Sequence, residues 1–179
     1  MAKIIGPIII AAVCFCLTPL FADPSFGQSA FKEYTDPGRR FSFEYPATMT
    51  VQTSNPDEVK IFHPGATLRI TVFIQDRPKK SAPKAEAVTE LFEKLKQEMK
   101  DSKVLEQGKL PGLDGAQGYT VFSYRDHRGL ELVQLVQYYI AEDKILQMIV
   151  SDRTEGFKNL EKVIRKIHAS LRILNPKLR

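Results

Sequence analysis

The chain has 179 residues, with 26 Lys and Arg against 21 Asp and Glu for a formal net charge of +5, and two cysteines, Cys14 and Cys16. The basic excess is spread along the sequence rather than gathered in a block, which argues against a dedicated nucleic-acid surface. Both cysteines lie in the first 30 residues, so the remainder offers no disulfide, thiolate nucleophile or cysteine metal site.

Residues 1–30 place Lys3 before an uncharged run from Ile4 to Ala22 and then small and polar residues. This is the layout of a secretory signal peptide. Candidate cleavage points follow Ala22, Ser29 or Ala30, where small side chains flank the cut. The alternative is a retained membrane anchor, because the apolar run approaches the length that spans about 30 Å of hydrocarbon. Pro7 and Pro19 interrupt it as a continuous helix. Lipidation is disfavoured, since Val13 and Phe15 precede the cysteines. Residues 31–179 are the size of one domain, enough to bury roughly 68–70% of the unfolded chain's surface.

Asp36, Pro37 and Gly38 predict a turn. It launches a strand in which Phe41, Phe43 and Tyr45 alternate with Ser42 and Glu44, the period of two of a strand with one buried face. Pro46 ends it. Val51 and Thr53 predict a second strand, Asn55 to Asp57 a turn, and Val59 to Phe62 a third strand. After the Pro64-Gly65 turn, Leu68, Ile70, Val72 and Ile74 alternate with Arg69, Thr71 and Phe73 in the clearest amphipathic strand.

Val88, Leu91, Phe92, Leu95 and Met99 recur at the spacing of one buried helical face, with Glu86, Glu90, Glu93, Lys94 and Glu98 on the wet side. A strand from Lys103 towards Leu110 follows, and LPGLDG at 110–115 reads as turns. Tyr119 to Tyr124, Leu130 to Ile140 and Ile145 to Val150 predict three strands whose short polar loops demand antiparallel neighbours. In the last two, both alternating sets are apolar, as in central strands covered on both faces. A closing helix places Phe157, Leu160, Val163, Ile164, Ile167 and Leu171 on one face, with Asp152 and Glu155 as an N-terminal capping pair. The architecture that satisfies these faces is α+β: a twisted, mainly antiparallel sheet packed by two main helices, an α/β/α sandwich.

The run Y-T-D-P-G-R-R-F-S-F-E-Y-P at 34–46, the mid-chain helix, the antiparallel meander and the final SLRIL at 170–174 resemble the PsbP-like superfamily over nearly the whole chain after residue 30. That group includes the PsbP proteins of the photosynthetic oxygen-evolving complex, DcrB-type bacterial envelope proteins and nuclear Ran-binding relatives. Members often carry a tryptophan a few residues beyond the proline; here Met49 stands there and the chain has no tryptophan. The resemblance implies an α/β/α sandwich that works mostly by docking on other proteins.

Catalytic and metal patterns are weak. His63, His127 and His168 have no metal-ligand spacing. Ser123, Asp126 and His127 have the residue types of a hydrolase triad but no nucleophile-elbow sequence, and read as a hairpin tip. Gly108, Gly112, Gly115 and Gly118 precede a strand rather than a phosphate-binding helix, and read as turn glycines. The acidic pairs Asp57-Glu58 and Glu142-Asp143 lack calcium-loop spacing. The basic group Arg77, Lys79, Lys80 and Lys84 opposes the dipole of the helix it precedes, so it is the candidate patch for an anionic partner. Its other reading is a solvated lysine-rich loop.

The sequence therefore predicts a non-enzymatic, exported accessory protein in the periplasm or outside the cell, or in the thylakoid lumen of a photosynthetic organism. Its partner would be another envelope or membrane protein or an anionic membrane surface, with no nucleic acid and no cofactor. The alternative is a small-molecule or calcium-type ion binder, including an extrinsic role at the oxygen-evolving complex in a photosynthetic organism.

Overall fold

The computed structural model describes residues 30–77, 101–110 and 116–178, and between them Glu86, Thr89, Glu90, Leu91, Glu93, Lys94 and Gln97. Residues 1–29, Lys79, Lys80, Lys84 and the turns of 111–115 lie outside these residues. So do Val88, Phe92, Leu95 and Met99 of the mid-chain face; the described residues of that segment between Glu86 and Gln97 are helical.

The chain runs through β1 (Phe31–Thr35), β2 (Phe41–Pro46), β3 (Thr50–Asn55), β4 (Glu58–Phe62), β5 (Arg69–Asp76), β6 (Lys103–Leu110), β7 (Ala116–Arg125), β8 (Glu131–Ile140) and β9 (Lys144–Arg153). It closes with α1 (Thr154–Asn159), α2 (Glu161–Ala169) and β10 (Arg172–Ile173). Seven strands form one sheet in the order β3-β4-β5-β9-β8-β7-β6, and three form a second, β1-β2-β10. Every neighbouring pair is antiparallel.

Alternation divides the large sheet's side chains between two cores. One face sends Ile70, Val72, Leu135, Tyr139, Leu146, Met148 and Val150 against Phe41 and Phe43 of the small sheet and Phe157, Val163, Ile164 and Ile167 of the terminal helices. The opposite face gathers Phe122, Val136, Tyr138, Ile140 and Ile145, with Leu91 of the mid-chain helix packed against them. The doubly apolar reading of β8 and β9 thus matches a central position covered on both sides. This is the expected layered α+β sandwich, with the small sheet sharing a layer with α1 and α2.

One strand is added and two local readings are corrected. Residues 31–35 form β1, whose FKEYT sequence shows too little alternation to be read as a strand; Tyr34 lies across Phe43 at a ring distance of 5.5 Å. The single closing helix is divided at Leu160 (φ −103°, ψ 11°). The i→i−4 bonds Leu160 N–H to Gly156 O and Ile164 N–H to Leu160 O persist, so the break is a bend. Leu171 lies beyond the helix, where the chain turns to pair β10 with β2. Finally, Asp152 is no cap: α1 begins after Arg153 without a side-chain cap, while the Asp152 carboxylate accepts the Thr67 hydroxyl and the Arg153 N–H.

Candidate interaction site

The D-P-G-R-R turn becomes a junction between the sheets. Asp36 is buried, and its carboxylate accepts Arg40 Nε at 2.8 Å, Arg40 Nη2 at 2.9 Å and the Arg40 N–H at 3.2 Å. The same guanidinium reaches the Asp57 carboxylate and the Pro56 carbonyl in the β3–β4 turn, while the Arg40 carbonyl accepts the Leu174 and Asn175 N–H groups. A cleft of about 400 Å³ lies beside it, between Tyr34, Pro37 and the 53–56 segment. The arginine facing that cleft is already saturated by carboxylates, so its charge serves the fold.

A second polar cluster fastens the edge of the large sheet to α2. Glu106 on β6 accepts Tyr119 O–H at 2.7 Å and Arg165 Nη2 at 2.6 Å. Arg165 also donates to Glu161 at 3.1 Å. The His168 ring stands edge-on to Tyr119 with centroids 5.1 Å apart. Arg165 and Tyr119, as donors, hold the Glu106 carboxyl below the usual range. Burial, aided by Arg165, lowers His168, so its imidazole is disfavoured as a cation.

Beside that cluster, two neighbouring aliphatic side chains stand open among the described residues. β6 is an edge strand, paired among the described strands with β7 alone. Its register slips between Val104 and Glu106, a bulge that leaves Leu105 without a cross-strand partner. Val104 and Leu105, adjacent on this edge, remain 39% and 51% exposed. Leu105 borders a groove of about 390 Å³ whose apolar wall includes Val133 and Phe157 and whose rim carries Lys103, Glu131 and Lys158.

No protein-family model and no curated protein sequence matches the chain. Solved structures do. Cyanobacterial PsbP (CyanoP) from Synechocystis sp. PCC 6803 superposes with a TM-score of 0.60 at 13% identity, covering 87% of this chain and 99% of that one. The chain has the PsbP-like fold. LpqN of Mycobacterium tuberculosis, involved in cell envelope biogenesis, matches with a TM-score of 0.59 at 12% identity over 84% of this chain and 95% of its own. The Ran-binding protein Mog1p of Saccharomyces cerevisiae matches at 0.56 and 10% identity over 84% and 98%.

Within this PsbP-like fold the residues singled out in the sequence scatter. Arg77 braces the β8–β9 turn, its N–H donating to Asp143 O at 2.9 Å and its Nη1 to Glu142 O at 3.4 Å; Lys79, Lys80 and Lys84 fall outside the described residues. Asp126 accepts the Arg128 and Leu130 N–H groups at 2.8 and 3.0 Å, the internal bonds of a hairpin tip. Asp57 is held by Arg40, and Glu58 lies 3.0 Å from Lys60. His63 Nδ1 accepts the Gly65 N–H. Among the described residues no group of three or more His, Cys, Asp and Glu side chains could hold a metal ion.

Gly108 and Gly118 are strand residues rather than turn residues, which corrects the earlier reading. A Cβ at Gly108 would stand 2.5 Å from the Tyr119 ring, and one at Gly118 2.4 Å from the Tyr138 hydroxyl. The glycines make room for tyrosines. The β6 groove itself was missed, because a bulge that turns one leucine outward leaves no periodic signal.

Proposed function

We propose that this chain is an exported, non-enzymatic accessory domain that works by contact with another envelope or membrane protein, and that the β6 edge with its groove is the contact surface. The exposed Val104 and Leu105 on an edge strand carry the reading. Edge strands are the usual place for an added strand from another chain, and the bulge and lysines that guard β6 against pairing with its own kind leave this aliphatic pair open.

Two comparisons and the leader support the reading. LpqN is involved in cell envelope biogenesis and Mog1p is a Ran-binding protein. Residues 1–30 have the composition of an export signal, and among the described residues no helix is long and apolar enough to cross a membrane. The compartment would be the periplasm or cell exterior, or the thylakoid lumen in a photosynthetic host. The basic 77–84 segment would add attraction to an anionic partner or membrane surface.

The test places a photo-crosslinking amino acid at Leu105 or, as a control on the opposite sheet edge, at Gln52, in the native host. A discrete adduct from position 105 that is absent from position 52 is expected. Equal labelling from both positions, or none from 105 in folded and abundant protein, overturns the proposal.

A further inference from the structure

The same edge narrows the chemistry of what it binds. Resting on the contact reading above, we infer that the β6 edge takes an extended acidic segment, with carboxylates alternating with aliphatic residues, added as a strand along β6 and meeting the mouth of the groove at its Lys103 end.

The charges left over at this edge are cationic. Glu106, the only acidic residue in β6, is neutralised by Arg165 at 2.6 Å. On the groove's rim, Glu131 is engaged by Arg125 at 2.8 Å. Lys103, Lys109 and Lys158 are exposed and enter no ion pair with a described residue. Asp101 opposes them only at the near end of the groove. A strand laid along β6 would therefore meet lysines at both ends and the aliphatic pair Val104 and Leu105 between them.

Cross-strand pairs of opposite charge stabilise a sheet and like charges placed opposite destabilise it. Lysines on an edge are also a common device against self-pairing. A second copy of β6 would bring lysines against lysines, whereas an acidic strand would not. The opposite edge sharpens the contrast: β3 exposes Gln52, Thr53, Ser54 and Asn55, which are neutral and offer no aliphatic anchor. Complementary charge at such a rim speeds encounter and selects the partner, while the buried aliphatic contacts set how long it stays.

The experiment pans random peptides of about ten residues, the length of a long strand, against the purified, folded full chain. The peptides enriched are then measured for affinity and crosslinked to locate them. Enrichment of Asp and Glu alternating with Val, Ile or Leu, located on β6, is expected. Affinity should fall about tenfold in the triple variant Lys103→Glu, Lys109→Glu, Lys158→Glu. Leu105→Asp should weaken binding as well, and Gln52→Asp should not. Unchanged melting of each variant separates loss of binding from loss of fold.

Peptides located on β6 without acidic bias, or indifferent to the charge reversal, overturn this inference and leave the contact reading standing. No enrichment, or peptides located on another face, overturns both. Vesicles of phosphatidylglycerol supply the remaining arm. If they bind the full chain, are lost in the triple variant and displace the peptides, the lysines serve a lipid surface and the inference fails.

Discussion

Arg40 holds Asp36 by both carboxylate oxygens, Nε to Oδ2 at 2.8 Å and Nη2 to Oδ1 at 2.9 Å. The side chains are 12% and 3% exposed, so neither charge has much water to fall back on. Removing one partner of a buried pair leaves the other uncompensated, at about 3–5 kcal/mol. Asp36→Ala and Arg40→Ala should each lose stability of that order in urea denaturation. Arg40→Lys should lose a substantial part of it, because an ammonium cannot reproduce the two-pronged contact. Burial pushes the Asp36 carboxyl up, but hydrogen bonds from the Arg40 side chain and backbone outweigh it and the group ends below its ordinary value. Its stabilisation is therefore complete above the unfolded pKa of about 3.9 and is lost as pH falls through the lower folded value.

His168 gives the molecule a second acid sensitivity, of a different origin. Burial lowers its pKa, Arg165 lowers it further and Glu106 partly restores it. The unfolded chain then binds the proton more readily than the fold does. This contribution to stability should be flat above the unfolded value of about 6.5 and should decline as pH drops below it, until the folded value is passed. Melting temperatures between pH 7 and pH 5 will show it as a slope. His168→Phe, which keeps a ring against Tyr119, should flatten that slope, and an unchanged slope would place the proton elsewhere.

Gly108 should tolerate no side chain while Tyr119 is present. A methyl there would lie 2.5 Å from the Tyr119 ring and displace the hydroxyl that donates to Glu106. Gly108→Ala should cost about 1–3 kcal/mol, the usual range for overpacking. In a Tyr119→Ser background most of that cost should vanish, a coupling that a double-mutant cycle reads directly. Gly118→Ala should show no such relief from Tyr119→Ser, because its methyl would stand 2.9 Å from the Gly108 carbonyl and close to Tyr138.

The start of β1 bears on the cleavage that the proposed export would require. The Ala47 N–H donates to the Ala30 carbonyl at 2.8 Å, and the Lys166 ammonium sits 3.6 Å from the centre of the Phe31 ring. Cleavage after Ala30 would remove that acceptor, whereas cleavage after Ser29 or Ala22 keeps it. N-terminal sequencing of exported protein should begin at Ala30 or Asp23. A first residue of Phe31 would show that this bond is dispensable.

Much of the architecture was legible because alternation and helical spacing report burial directly. Ile70, Val72 and Ile74 stand on the buried face that their spacing announced, and Leu135 and Val136 are each buried on opposite faces of β8. What stayed hidden depends on partners distant in the chain. Nothing near Asp36 tells that Arg40 also holds Asp57, or that Glu106 meets Arg165 fifty-nine positions later. Leu160 fits the apolar period and packs against the core, yet its backbone bends there, since periodicity reports faces and says nothing of the dihedral between them. The basic 77–84 group drew notice by charge density, while Leu105 is one leucine in a polar strand and drew none.

The small sheet has a consequence for the order of events during synthesis. β2 is flanked by β1 on one side and by β10 on the other, with Ile173 opposite Phe41. Strand β2 is made early and must wait for residues 172–173 before its second edge is paired. Until residues 172–173 have emerged, the aromatic row of β2 lacks its second neighbouring strand. On the proposed export route, a chain in that condition would meet a translocation channel with this sheet still open and would complete it only after residues 172–173 had crossed.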